Sequence, residues 1–167
     1  MFERATRGFL VSSTSRLAEL ARRKGNVLVV SLRPSLIRAL YRELRVHQWA
    51  KNALVVLPVM LAPSLPEPAT IGRALLAALA FSLCASAGYV WNDLLDIDAD
   101  RAHHSKRNRP FASGALPVAF GPPLFVALVC MGFGLSALFL PVRFSLMLVL
   151  YFAGTLGYSL YLKRVLI

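Results

Sequence analysis

Apolar residues in this chain gather in long runs, and four of these runs approach the length of a bilayer crossing. Residues 71–91, 116–140 and 144–162 each supply about the 20 residues that a helix needs to span hydrocarbon. Pro122 and Pro123 fall in the first turns of the third run, where a missing N–H costs little. The remaining run, residues 53–65, is interrupted by Pro58 and Pro63 and reaches span length only if its helix starts near Val46. A kinked first helix is therefore expected there. The pattern predicts an all-α, polytopic transmembrane bundle of four spans.

Residues 1–44 differ from the rest. They are rich in Arg and Ser, with Phe2, Phe9, Leu10, Leu17 and Leu20 loosely spaced as on an amphipathic helix. Residues 25–32 (GNVLVVSL) form a short apolar run that suits a strand or a membrane-surface segment. This part reads as a basic N-terminal segment, membrane-surface or disordered, ahead of a membrane domain over 45–167.

Charge supports the span count. The chain is 57% hydrophobic and 16% charged, yet carries a formal charge of +11. In a soluble protein that excess would suggest nucleic acid. Here eleven Arg and Lys precede the first run, the next connection is nearly neutral, and Arg101, Lys106, Arg107 and Arg109 follow the second run. Arg143 alone sits in the third connection, and Lys163 and Arg164 follow the last run. Rich and poor segments alternate as the positive-inside rule requires of four spans. The N-terminus and the 92–109 region are expected on the cytoplasmic side of the inner or plasma membrane, facing no nucleic acid. Cys84 and Cys130 lie inside apolar runs and read as buried hydrophobes.

All four aspartates fall in one window, Asn92-Asp93-Leu94-Leu95-Asp96-Ile97-Asp98-Ala99-Asp100. If the second helix continues through it, Asp93, Asp96 and Asp100 share one face within about 60° at about 100° per residue. Asn92 lies at the edge of that face and Asp98 nearly opposite. The same face projects back along the span through Ser82, Ser86 and Tyr89. A polar stripe of this kind belongs against the bundle interior. Converging carboxylates need a cation, and Mg²⁺, held by one or two carboxylates plus substrate phosphates, suits them. Arg101, Lys106, Arg107 and Arg109 then supply positive charge for a diphosphate. His103 and His104 read as interfacial loop residues. Tyr151, Thr155 and Tyr158 step along the fourth span, facing the same cavity or a neighbouring helix.

The run NDLLDIDADRAHHSKRNRPFASGAL resembles the first aspartate-rich motif of the UbiA superfamily of intramembrane prenyltransferases, with Asn92, Asp93, Asp96 and Asp100 at the motif positions. The basic extension from Asp100 to Pro110 and the upstream RVHQWAKN, Arg45 to Asn52, resemble the branch containing decaprenyl-phosphate phosphoribosyltransferases. The resemblance covers about residues 45–164. It implies a helical bundle that binds Mg²⁺ and a diphosphate, in a membrane-lipid setting, with a polyprenyl phosphate or diphosphate as substrate. Asn92, Asp93, Asp96 and Asp100 would be the Mg²⁺–diphosphate residues, and Lys106, Arg107, Arg109 and Arg101 the phosphate contacts. His103-His104 replaces the branch's usual His-Pro, and the family's second aspartate motif does not occur before Ile167. The chain therefore reads as the N-terminal half of such an enzyme, incompetent alone: a truncated gene, a fragment, or a half that would need a C-terminal half or partner chain. The reading from another class is a small non-catalytic membrane protein, an ion-binding transporter or assembly partner. A transporter would place its ionisable group near mid-span, and these acids lie at a helix end.

Overall fold

The computed structural model describes residues 8–11, 27–30, 35–62 and 67–162. The chain divides into two compact units, Met1–Ser35 and Leu36–Ile167. In the first, β1 (Gly8–Val11) pairs in parallel with β2 (Val27–Val30), in register from Gly8 opposite Val27 to Val11 opposite Val30. The Val-rich run at 27–30 takes the strand form that its β-branched side chains favour. Phe9 and Leu10, spaced as if on a helix, lie in β1 instead. Phe2, Leu17 and Leu20 lie outside the described residues.

The second unit is helical. It opens with α1 (Leu36–Glu43), after which Arg45 takes a left-handed conformation, φ 50° and ψ 42°. The predicted first span is not one continuous helix. Residues 46–60 alternate 3₁₀ turns with two four-residue helices, α2 (Trp49–Asn52) and α3 (Leu57–Met60). Pro58 sits at the start of α3, where its missing N–H separates that turn from the ones before it. Pro63 lies outside the described residues.

Next come α4 (Pro68–Leu95), α5 (Ile97–Ala102), α6 (Gly121–Phe139) and α7 (Val142–Gly157), the last extended by a π-helical turn at Tyr158–Leu162. Among the described residues three helices are long and apolar enough to cross a membrane: Pro68–Leu95, Val118–Phe139 and Val142–Tyr161. Of their most apolar windows, 61% is buried in the first and 17% in each of the others. So α4 is the core helix, and α6 and α7 turn most of their apolar surface outward, as lipid-facing helices do.

Lipid removes most of the hydrophobic drive for helix association, leaving close packing of small residues to supply it. Gly132 on α6 shows this: a Cβ there would lie 2.6 Å from Cys84 Sγ and 3.1 Å from the Ala80 carbonyl of α4. Ser136 and Ser145 join α6 to α7 through a 2.7 Å hydroxyl pair. On the neighbouring face of α4, the Phe81 ring lies tilted against Tyr151 with centroids 4.4 Å apart, and Thr155 packs where Gly88 leaves room. Helix packing therefore accounts for Tyr151 and Thr155.

The loop between α5 and α6 is pinned to this core. Phe111 and Leu116 are both fully buried, and Leu116 N–H donates to the Pro110 carbonyl at 3.0 Å. Gly114 turns the chain between them at φ 75°, a conformation that L side chains rarely adopt. Folding the loop back in this way carries Arg109 to the end of α4.

Candidate functional site

The polar stripe faces inward. Ser82, Ser86, Asp93 and Asp100 are buried, with Asp93 and Asp100 only 3% and 2% exposed. What meets the stripe is the segment from Leu44 to Asn52. Trp49 Nε1 donates to Ser86 Oγ at 3.1 Å, and Ser86 Oγ donates to the Leu44 carbonyl at 2.7 Å. Asn52 Nδ2 donates to Ser82 Oγ at 2.9 Å, and Ser82 Oγ caps the Ala78 carbonyl of its own helix. The RVHQWAKN segment is thus the polar partner of α4.

The aspartate window is not one straight helix. α4 stops at Leu95, Asp96 sits at φ −100° and ψ 7°, and α5 resumes at Ile97. Two hydrogen bonds carry the helical path across the joint, Asp96 N–H to Asn92 O and Asp100 N–H to Asp96 O. The shared face survives the bend: Asp93 and Asp100 point inward, Asn92 and Asp96 are half-buried, and Asp98 points outward.

Two arginines meet the inward pair. Arg109 Nη1 lies 3.0 Å from Asp93 Oδ1 and 2.7 Å from Asp100 Oδ2, bridging them. Arg45 Nη2 lies 2.9 Å from Asp93 Oδ1, and its guanidinium covers the Tyr89 ring at 4.1 Å. Charge-assisted bonds of this kind are what make two buried carboxylates tolerable. Glu43, at the end of α1, is a third acid beside them. It is buried, and neither carboxyl oxygen has a hydrogen-bond partner among the described residues. Burial, reinforced by the charge of Asp93, raises its pKa from 4.5 to about 8.

A cavity of about 270 Å³ opens beside the cluster. Arg42, Arg45 and Arg109 line it, with Asp93, and His47, Gln48, Ser105 and Asn108 complete its polar wall. Of the basic residues expected here from sequence, Arg109 arrives. Lys106 and Arg107 are exposed on a 3₁₀ turn, and Arg101 instead reaches the Ala112 carbonyl and Asp98. His103 and His104 are exposed, as interfacial loop residues should be, and His103 Nδ1 pairs with Ser105. Sequence reading did not single out Arg42, Arg45 or Glu43 for the site, although Arg45 begins the upstream motif.

A family model described as the UbiA prenyltransferase family matches residues 53–167. The chain belongs to this family. Among its relatives, a Corynebacterium glutamicum decaprenyl-phosphate phosphoribosyltransferase is 37% identical over 74% of this chain and 38% of its own length. A Mycobacterium tuberculosis protein of the same name is 33% identical over 78% of this chain and 44% of its own. An uncharacterized Sinorhizobium fredii protein, y4nM, is 42% identical over 74% of this chain and 24% of its own. The chain thus spans less than half the length of these curated relatives.

For a UbiA-family site the question of a metal follows at once. Among the described residues no three His, Cys, Asp or Glu side chains are grouped to hold one. The oxygen donors Asp93 and Asp100, with Asn92 and Asp96 beside them, nevertheless suit a hard cation, which needs only one or two carboxylates when phosphate oxygens complete its shell.

Proposed function

We propose that this UbiA-family chain carries the diphosphate-binding part of a membrane-embedded, Mg²⁺-dependent transferase acting on polyprenyl substrates, with transfer of phosphoribose to a polyprenyl phosphate as its reaction. One observation carries the reading: of a buried aspartate pair, bridged by Arg109 and flanked by Arg45, Asp93 lines a cavity with Arg42 on its wall. Cations converging on a polar pocket beside metal-type carboxylates match a diphosphate leaving group. The names of the Corynebacterium and Mycobacterium relatives support phosphoribosyl over prenyl transfer.

In this scheme Asp93 and Asp100, with Asp96 and Asn92, hold Mg²⁺, and Arg42, Arg45 and Arg109 bind the diphosphate oxygens. Lys106, Arg107 and Arg101 are exposed, and their charge adds positive potential that attracts anions to this end of the bundle. The bond from the sugar's anomeric carbon to the diphosphate breaks as a phosphate oxygen of the polyprenyl acceptor bonds to that carbon. The metal supplies charge neutralisation of the departing diphosphate. The side chains bind, orient and shield the reacting groups. The acidic helix end faces the cytoplasm, where the basic segments lie under the positive-inside rule.

The test is binding by the protein purified in detergent. Pyrophosphate should bind with Mg²⁺ present and at least about tenfold more weakly in EDTA, and Asp93→Asn should abolish the metal dependence. Binding that ignores both metal and substitution refutes the reading.

A further inference from the structure

Arg109 stands where a bridging cation would stand. Its Nη1 is 3.0 Å from one buried carboxylate and 2.7 Å from the other. A metal shared by Asp93 and Asp100 needs the same space, and two cations beside one pair of acids repel each other. Arg109 is also placed to leave. Its side chain is 27% exposed, it lines the cavity, and it follows a 3₁₀ turn as that turn's C-terminal cap rather than lying within a helix. Arg45 is held differently, against both Asp93 and the Tyr89 ring. Glu43 adds a further buried carboxyl near the same four charges, with both oxygens unpartnered among the described residues.

Resting on the function proposed above, we infer that Arg109 is an exchangeable counter-ion, which holds Asp93 and Asp100 together until a diphosphate draws it into the cavity and so frees the pair for the metal. Moving Arg109 alone leaves Asp100 without its counter-ion and Asp93 with Arg45 alone, and inserting a metal alone crowds a guanidinium. Each ligand removes the other's penalty. Metal and diphosphate therefore bind cooperatively, and by linkage the effect is reciprocal. Arg109 acts here as a positioning residue for the metal as well as a phosphate contact.

The consequence has an unusual sign. Arg109→Gln should bind Mn²⁺ alone, read by electron paramagnetic resonance, about tenfold more tightly than wild type, roughly the strength of one charge-assisted bond. Arg109→Lys, which keeps the charge, should stay within about threefold of wild type. Reciprocally, Asp100→Asn removes the shorter of Arg109's two carboxylate contacts, leaving Asp93 alone to hold it, and should tighten pyrophosphate binding in EDTA about tenfold, although the same variant loses affinity when Mg²⁺ is present. This arm does not depend on the Arg109 variants folding. Unchanged or weaker Mn²⁺ binding by Arg109→Gln, or unchanged EDTA binding by Asp100→Asn, overturns the exchange even where wild type binds pyrophosphate with Mg²⁺. Absence of Mg²⁺-dependent pyrophosphate binding in wild type overturns the exchange and the underlying function together.

Discussion

Trp49 donates its indole N–H to Ser86 Oγ at 3.1 Å, across 37 residues of sequence. Ser86 passes its own proton to the Leu44 carbonyl, so one hydroxyl ties α4 to both ends of the turn that presents Arg45. Ser86→Ala strands a half-buried donor and a half-buried acceptor together. It should lower stability by about 1–3 kcal/mol, seen as a fall in Tm in detergent, and weaken pyrophosphate binding through the displaced Arg45. Trp49→Phe keeps the ring and should cost about 1 kcal/mol.

Arg45 and Arg101 make a direct comparison. Arg45 touches Asp93 and lines the cavity, whereas Arg101 is engaged with Asp98 and the Ala112 carbonyl. Arg45→Gln should weaken Mg²⁺–pyrophosphate binding about tenfold or more, the worth of a charge-assisted contact. Arg101→Gln should stay within about twofold, as exposed charges do. Equal losses in titration calorimetry would refute the site's boundaries.

Glu43 gives a pH signature. Its carboxyl is raised from 4.5 to about 8 by burial, so the folded protein binds a proton that the unfolded chain has released between those values. Stability should therefore fall as pH rises through this window, with a slope approaching about 1.4 kcal/mol per pH unit from this group. Glu43→Gln removes the proton exchange and should flatten the profile while raising stability at the alkaline end. Denaturation in detergent across pH 5–8 checks it; a Glu43→Gln slope equal to that of wild type is the contrary result.

Gly132 sets the α4–α6 distance. A Cβ there meets Cys84 Sγ at 2.6 Å and the Ala80 carbonyl at 3.1 Å. Gly132→Ala should destabilise by about 1–3 kcal/mol through overpacking. Cys84→Ala should recover part of the loss, because only the sulfur contact is relieved. Full additivity of the two changes would count against this account.

Periodicity was enough to place Asp93 and Asp100 on the buried face and Asp98 off it, since seven residues make nearly two turns. The long apolar runs likewise announced α4, α6 and α7. The region from Val46 to Met60 was less legible, because apolar content does not report how 3₁₀ turns and Pro58 divide a segment into short pieces. Arg45 was hidden as a site residue by distance in sequence, 48 residues from Asp93, and by a left-handed backbone that no local pattern announces. Lys106, Arg107 and Arg109 look alike as a basic run. Only the burial of Phe111 and Leu116, which folds the loop back, selects Arg109 from the three.

The joint at Asp96 makes the stretch between Asp93 and Asp100 a ruler. Its two ends are read by a single nitrogen, so the length of the stretch matters as well as the identity of Asp96 within it. One alanine inserted after Ile97 rotates Asp100 by about 100° and carries its carboxylate out of Arg109's reach, with every original side chain still present. An insertion of four residues, close to a whole turn, restores the direction but shifts the acid by about 6 Å. Here a change of count undoes the bridge as surely as a change of letter at either end.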